Sequence, residues 1–177
     1  MFQTVLLIAF ILSATPALAS PESLAEASRA LEAGQYTQAI EILTPLAKDG
    51  NQLAQYRLGT MYYNGTGVTE DEKQAIYWWK KAAASGHADS MYQLGTAFLY
   101  GSHAAKIVPD PDREAAIWYF QAASAGHVEA QYHLGLLFLA GKGVVSSQSE
   151  SARWLRKAAE AGHPEAAKAL RTVQKRK

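Results

Sequence analysis

The stretch "AGHVEAQYHLG", Ala125–Gly135, places a glycine in a segment whose apolar spacing is otherwise that of a helix. Glycine inside a helix costs about 1 kcal/mol relative to alanine, so Gly135 needs a reason. The same arrangement recurs as "SGHADSMYQLG", Ser85–Gly95, and more loosely as "DGNQLAQYRLG", Asp49–Gly59. A costly residue repeated at a fixed place is expected to serve packing.

Aligning the chain with itself extends the pattern. Leu58-Gly59, Leu94-Gly95 and Leu134-Gly135 lie 36 and 40 residues apart, and Gly50, Gly86, Gly126 and Gly162 step by 36, 40 and 36. Trp78, Trp118 and Trp154 occupy one equivalent position; Ala82-Ala83, Ala122-Ala123 and Ala158-Ala159 occupy another. Each unit reads as two helices. The first covers Leu53–Tyr63, Asp89–Leu99 and Glu129–Leu139, with apolar and small residues at helical spacing. A glycine-bearing turn follows, "NGTGV" or "AGKGV", and the second helix carries A-x-x-W-x-x-x-A-A and stops at a glycine. Small residues such as Gly59 and Ala82 are expected to let the two backbones come close, with the tryptophan filling the space between hairpins. Ahead of the first unit, "SLAEASRALEAGQYTQAIEILTPLAKDG" reads as a degenerate helix pair; after the last, 164–174 reads as one polar-faced helix. Both suit the capping of a stacked array.

With L-G in the first helix, G-x-G-V in the turn and A-x-x-W/Y-x-x-x-A-A-x-x-G in the second, residues 54–166 resemble the Sel-one-like repeat, a relative of the tetratricopeptide repeat. The resemblance implies an all-α fold, a right-handed superhelical solenoid of about nine helices that binds other proteins. Together with an N-terminal segment read below as a signal peptide (1–19), the expected division is a capping hairpin (20–51), repeats at 52–87, 88–127 and 128–163, and a closing helix with a basic tail (164–177). The middle repeat departs from the pattern: G-x-G-V is replaced by the longer "YGSHAAKIVPDPDRE".

Formal charge is +1, from 17 basic and 16 acidic residues, so nothing in the bulk electrostatics points to nucleic acid. The charge is uneven, net −5 through Glu72 and net +6 from Lys73 onward. Lys168, Arg171, Lys175, Arg176 and Lys177 close the chain, as expected of a solvated helix end that complements its own dipole. The N-terminus has an apolar run from Val5 to Leu12 followed by Ala17-Leu18-Ala19. That run is too short to span a bilayer but suits a cleavable secretory signal cut after Ala19, although no Lys or Arg precedes it. There is no cysteine, hence neither disulfide nor lipidated cysteine. The mature protein is expected in the periplasm or outside the cell, without stable membrane insertion, monomeric or weakly self-associating.

No nucleophile elbow, S-x-x-K, H-E-x-x-H or phosphate loop is present, so no catalytic residue and no cofactor is expected. His87, His127 and His163 each follow a repeat-terminal glycine. Equivalent residues in stacked hairpins are separated by about 10 Å or more, the width of a helix, too far to share a metal, so a structural role is expected. "NGT", Asn64–Thr66, is formally a glycosylation acceptor but coincides with an expected turn. Specificity should sit where repeats differ. The i, i+4, i+7 spacing gathers Arg57, Thr60 and Asn64 on one face of the first unit, Gln93, Thr96 and Tyr100 in the second, and His133 in the third. The long middle turn, Gly101–Arg113, adds His103, Lys106, Asp110, Asp112 and Arg113 as one expected edge of a partner site. The resemblance implies a protein-binding adaptor; the alternative is an immunity protein neutralising a toxin delivered by type six secretion, such as a phospholipase.

Overall fold

The computed structural model describes residues 21–102 and 104–175; the expected signal peptide and His103 lie outside the described residues. The chain order is α1 (Pro21–Glu32), α2 (Tyr36–Lys48), α3 (Gln52–Asn64), α4 (Glu72–Ala84), α5 (Ala88–Tyr100), α6 (Ala104–Ile107), α7 (Pro111–Ser124), α8 (Val128–Ala140), α9 (Gln148–Glu160) and α10 (Ala166–Gln174). Nine of these are nine residues or longer, and α6 is a single turn. Helices pack chiefly on their neighbours in the chain, so α1–α2, α3–α4, α5–α7 and α8–α9 form stacked hairpins closed by α10. This is an all-α solenoid, with three successive apolar clusters in place of one central core.

Helix starts follow from local side chains. Asn51, Asp71, Asp110 and Ser147 each accept a backbone N–H three residues on, and a cap of this kind is worth about 1 kcal/mol. Helix ends follow from glycine. After α7, Gly126 adopts φ +92, and the amides of Gly126 and His127 return to Ala123 and Ala122 at 3.1 and 3.0 Å. That paired bonding needs the left-handed backbone that only glycine adopts freely.

The recurring helix glycine has a packing role, but a different one from that expected. An ideal Cβ on Gly59 would lie 2.5 Å from Trp79 Cδ1, on Gly95 2.7 Å from Tyr119 Cδ1, and on Gly135 2.7 Å from Leu155 Cγ. The space is therefore taken by a large side chain from the second helix, and two bare backbones do not meet there. The occupant is the residue following each repeat tryptophan, and all three occupants are almost fully buried. The tryptophans are less uniform: Trp78 and Trp154 are buried, while Trp118 is half-buried with Nε1 donating to Glu114 Oε1 at 3.0 Å.

The turns couple successive hairpins. A Cβ on Gly67 would lie 2.5 Å from Tyr36 Cβ at the start of α2, and one on Gly143 would collide with the Asp112 carbonyl at the start of α7. The middle turn docks at the corresponding place: Gly101 lies against Glu72 at the start of α4, and Ser102 Oγ donates to Glu72 Oε2 at 3.3 Å. The expected extended turn over 101–113 is shorter than its sequence suggested. It contains α6, packs Ile107 and Val108 onto the second apolar cluster, and ends at Asp110, which caps α7. Pro111 suits the first turn of a helix, so Asp112 and Arg113 belong to α7.

Gly95→Leu is expected to destabilise the fold by about 3 kcal/mol or more through overpacking against Tyr119, despite a gain in helix propensity. Urea unfolding of the purified variant measures it; a midpoint at or above that of the parent contradicts the packing account.

Candidate partner-binding surface

The expected first-helix residues divide by how far the fold uses them. Arg57, Thr60 and Asn64 line a shallow groove of about 200 Å³ beside Leu31, Tyr56 and Met61. Arg57 Nη1 donates to Ser28 Oγ of α1 at 2.6 Å, which holds the guanidinium along that groove. In the next unit Gln93 is half-buried and Tyr100 stands 66 % exposed. Thr96 turns inward, 3.1 Å from the Tyr119 hydroxyl and 3.2 Å from the Tyr92 carbonyl. His133 of α8 lies flat against Tyr119, centroids 5.3 Å apart, with Tyr92 at 5.9 Å. Asn64, read as a turn residue, is the last residue of α3, and Gly65 after it is left-handed at φ +64.

A histidine–tyrosine series runs along the same face. His87 meets Tyr56, His127 stacks on Tyr92, and His163 stacks on Tyr132, at centroid distances of 4.8, 4.5 and 4.1 Å. Nδ1 of His87 and of His127 accepts the amide of Ser90 and of Ala130, capping α5 and α8. Nε2 of His127 lies 3.4 Å from Asp89, and Nε2 of His163 lies 3.2 Å from Glu129. Each ring thus joins a helix start to the preceding unit. Tyr56, Tyr92 and Tyr132 recur at the repeat spacing, a signal in the sequence that pairing the histidines only with the glycines before them overlooked.

The turn residues divide between α6, which packs on the first helix α5, and the start of the second helix α7. Lys106 is exposed on α6. Asp110 accepts the Arg113 amide at 3.0 Å, and Asp112 pairs with Lys142 of the next turn at 3.3 Å. Arg113 lines a separate groove of about 530 Å³ with Ile117 and Phe120 of α7, Leu134 and Phe138 of α8, and Val144. That groove was not anticipated: of its lining residues, only Arg113 was an expected site residue. Among the described residues, no group of three metal-binding side chains stands together, and no helix is long and apolar enough to cross a membrane.

Comparison with known proteins accords with this architecture. The family model described as the Sel1 repeat matches residues 52–87, 88–127 and 128–163. A Sel1 repeat protein from Oxalobacter formigenes has the same fold at TM-score 0.75 and 30% identity, over 82% of this chain and 58% of that one. Helicobacter pylori cysteine-rich protein B superposes at TM-score 0.55 and 21% identity, over 82% of this chain and 95% of its own. In sequence, 70 residues are 34% identical to the ERAD-associated E3 ubiquitin-protein ligase component HRD3A of Arabidopsis thaliana, spanning 39% of this chain and 10% of the plant protein.

The histidines give the fold a pH dependence of definite sign. Burial lowers the pKa of His127 below the usual 6.5, against the opposing pull of Asp89 and Glu129, and burial likewise lowers that of His133. Between the folded and unfolded values the unfolded chain binds more protons. Stability is therefore complete above pH 6.5 and is lost as pH falls through the folded values. The urea midpoint is expected to drop as pH is lowered from about 7 to about 5. His127→Asn, the residue that caps α3 at the equivalent Asn51, is expected to preserve the fold and flatten that slope.

Proposed function

The chain belongs to the Sel1 repeat family, and from that premise we propose that it is an exported, non-enzymatic scaffold that binds another protein across its first-helix face. Sel1 repeat proteins generally mediate protein–protein interaction. The observation that carries the reading is how the repeats spend their shared and differing positions. The shared glycines, alanines and Tyr–His pairs are consumed in packing, while Arg57, Asn64, Gln93 and Tyr100 differ between units and retain solvent access. A surface that mixes aromatic, cationic and amide groups on rigid helices suits a protein partner: Tyr100 offers contact area at the cost of few torsions, and Arg57 is already held by Ser28. Lys106 on α6, which packs on α5, extends the same proposal to the middle turn.

The test is capture by the mature chain from a periplasmic extract, followed by binding to the purified partner. Tyr100→Ala is expected to weaken that binding about tenfold or more without shifting the melting temperature; Arg57→Ala is expected to weaken it by as much while also lowering the melting temperature slightly through loss of the Ser28 contact. Capture of a secreted toxin whose activity the chain suppresses assigns the inhibitory form of this function; capture of an envelope component assigns the adaptor form. Export carries its own expected outcome: the mature protein begins at Ser20, read by N-terminal sequencing.

A further inference from the structure

The three junctions between a second helix and the next first helix use equivalent positions, yet they are not filled alike. At the first, Ile40 of α2 packs on the cluster that contains Leu58, beside Tyr62 of α3. At the second, Ile76 of α4 clusters with Leu94 and Phe98 of α5, and Lys80 Nζ sits 5.5 Å over the Phe98 ring. At the third, the isoleucine position is Ala116 and the lysine position is Phe120, above Leu134 and Phe138 of α8. A methyl stands where its counterparts carry four carbons, and an open groove of about 530 Å³ remains. Ile117 and Phe120 line it while 42 % and 49 % exposed, a high share for large apolar side chains.

The groove's lining holds one charged side chain, the cationic Arg113. Asp112 is ion-paired with Lys142 and Glu150 with Arg153, while Glu114 keeps its charge, accepts from Trp118 Nε1 and does not line the groove. Arg113, exposed in the lining, makes no ion pair among the described residues. Lys157 lies 4.8 Å over Trp154, whose ring meets the Phe120 edge at 5.8 Å. The groove therefore presents an apolar slot with cationic neighbours.

We propose that this groove receives a short segment of a partner protein, which inserts a branched aliphatic side chain where the other two junctions carry their own isoleucine and sets an acidic residue toward Arg113. The proposal rests on the protein-binding reading but places binding on a different surface. A second copy of the chain is a poor occupant. Its most exposed aliphatic residues, Val145, Ile117 and Leu53, lie between uncharged chain neighbours, and Ile117 is itself part of the groove's lining.

The experiment uses three fluorescein-labelled dodecapeptides and the mature chain, read by fluorescence anisotropy. One carries a central Leu-Ile-Leu with glutamate flanks, the second the same centre with lysine flanks, and the third serines between glutamate flanks. The first is expected to bind about tenfold or more tighter than either other, the effect of losing one anchor. Ala116→Ile restores the side chain found at positions 40 and 76; it should keep or raise the melting temperature and weaken the first peptide at least about tenfold. Arg113→Glu should shift preference toward the lysine-flanked peptide. Equal binding of all three peptides overturns the proposal, as does unchanged binding in a folded Ala116→Ile variant. Sedimentation showing a dimer that Ala116→Ile dissociates also overturns it, in favour of self-association. A captured partner released by Tyr100→Ala but indifferent to Ala116→Ile overturns the groove while leaving the scaffold function standing.

Discussion

The absent Cβ at Gly59, Gly95 and Gly135 is the constraint on which the hairpins depend. With any side chain there, Trp79, Tyr119 or Leu155 would have to move. Each occupant fixes how its two helices lie together, and three hairpins with one internal geometry can then stack through like surfaces. The three occupants differ in volume, indole, phenol and isobutyl, so the constraint is the vacancy on one helix rather than a particular complement on the other. Dense packing of this kind tolerates shape changes poorly at the vacancy and better at its occupant.

Coupling between hairpins relies more on polar and aromatic groups than coupling within them. Histidine rings stack on the previous unit's tyrosine, and two of them cap the next first helix through Nδ1. The amides of Gln55 and Gln131 reach the carbonyls of Ala47 and Ala123, satisfying the ends of α2 and α7. A single residue thus satisfies a helix terminus and joins two units, which leaves the remaining surface of each helix available to vary. The cost at His127 is sensitivity to protonation, since its Nδ1 accepts the Ala130 amide and burial holds its pKa below the usual value.

What could be read from the chain followed from what recurred. The hairpin order and the glycine helix ends were legible because each depends on a residue type at a fixed spacing, as at Gly126. The first-helix boundaries fall one residue outside those read from apolar spacing, at Gln52–Asn64, Ala88–Tyr100 and Val128–Ala140. The glycine's true neighbour was not legible, since Trp79, Tyr119 and Leu155 share neither size nor chemistry. The middle turn misled for a related reason: proline and aspartate mark both a loop and a helix start, and Asp110-Pro111 is the latter. The groove between α7 and α8 was hidden because it arises from a side chain smaller than its counterparts, Ala116 against Ile40 and Ile76. Such a difference shows only when equivalent positions are set side by side in space.

Neighbour-only packing also dictates how the molecule yields to a pull. α10 rests mainly on α9, with His163 pinned to Tyr132 and Glu129 at its root. Tension applied at the C-terminus, as by a translocating protease, meets this one helix first and then a succession of separate hairpin contacts. No sheet or disulfide shares the load across the described length, so resistance is serial, released one unit at a time. A grip on the opposite end begins instead at α1, whose tie to α3 runs through Arg57 and Ser28. The solenoid is thus a directional spring whose two ends have unequal first steps.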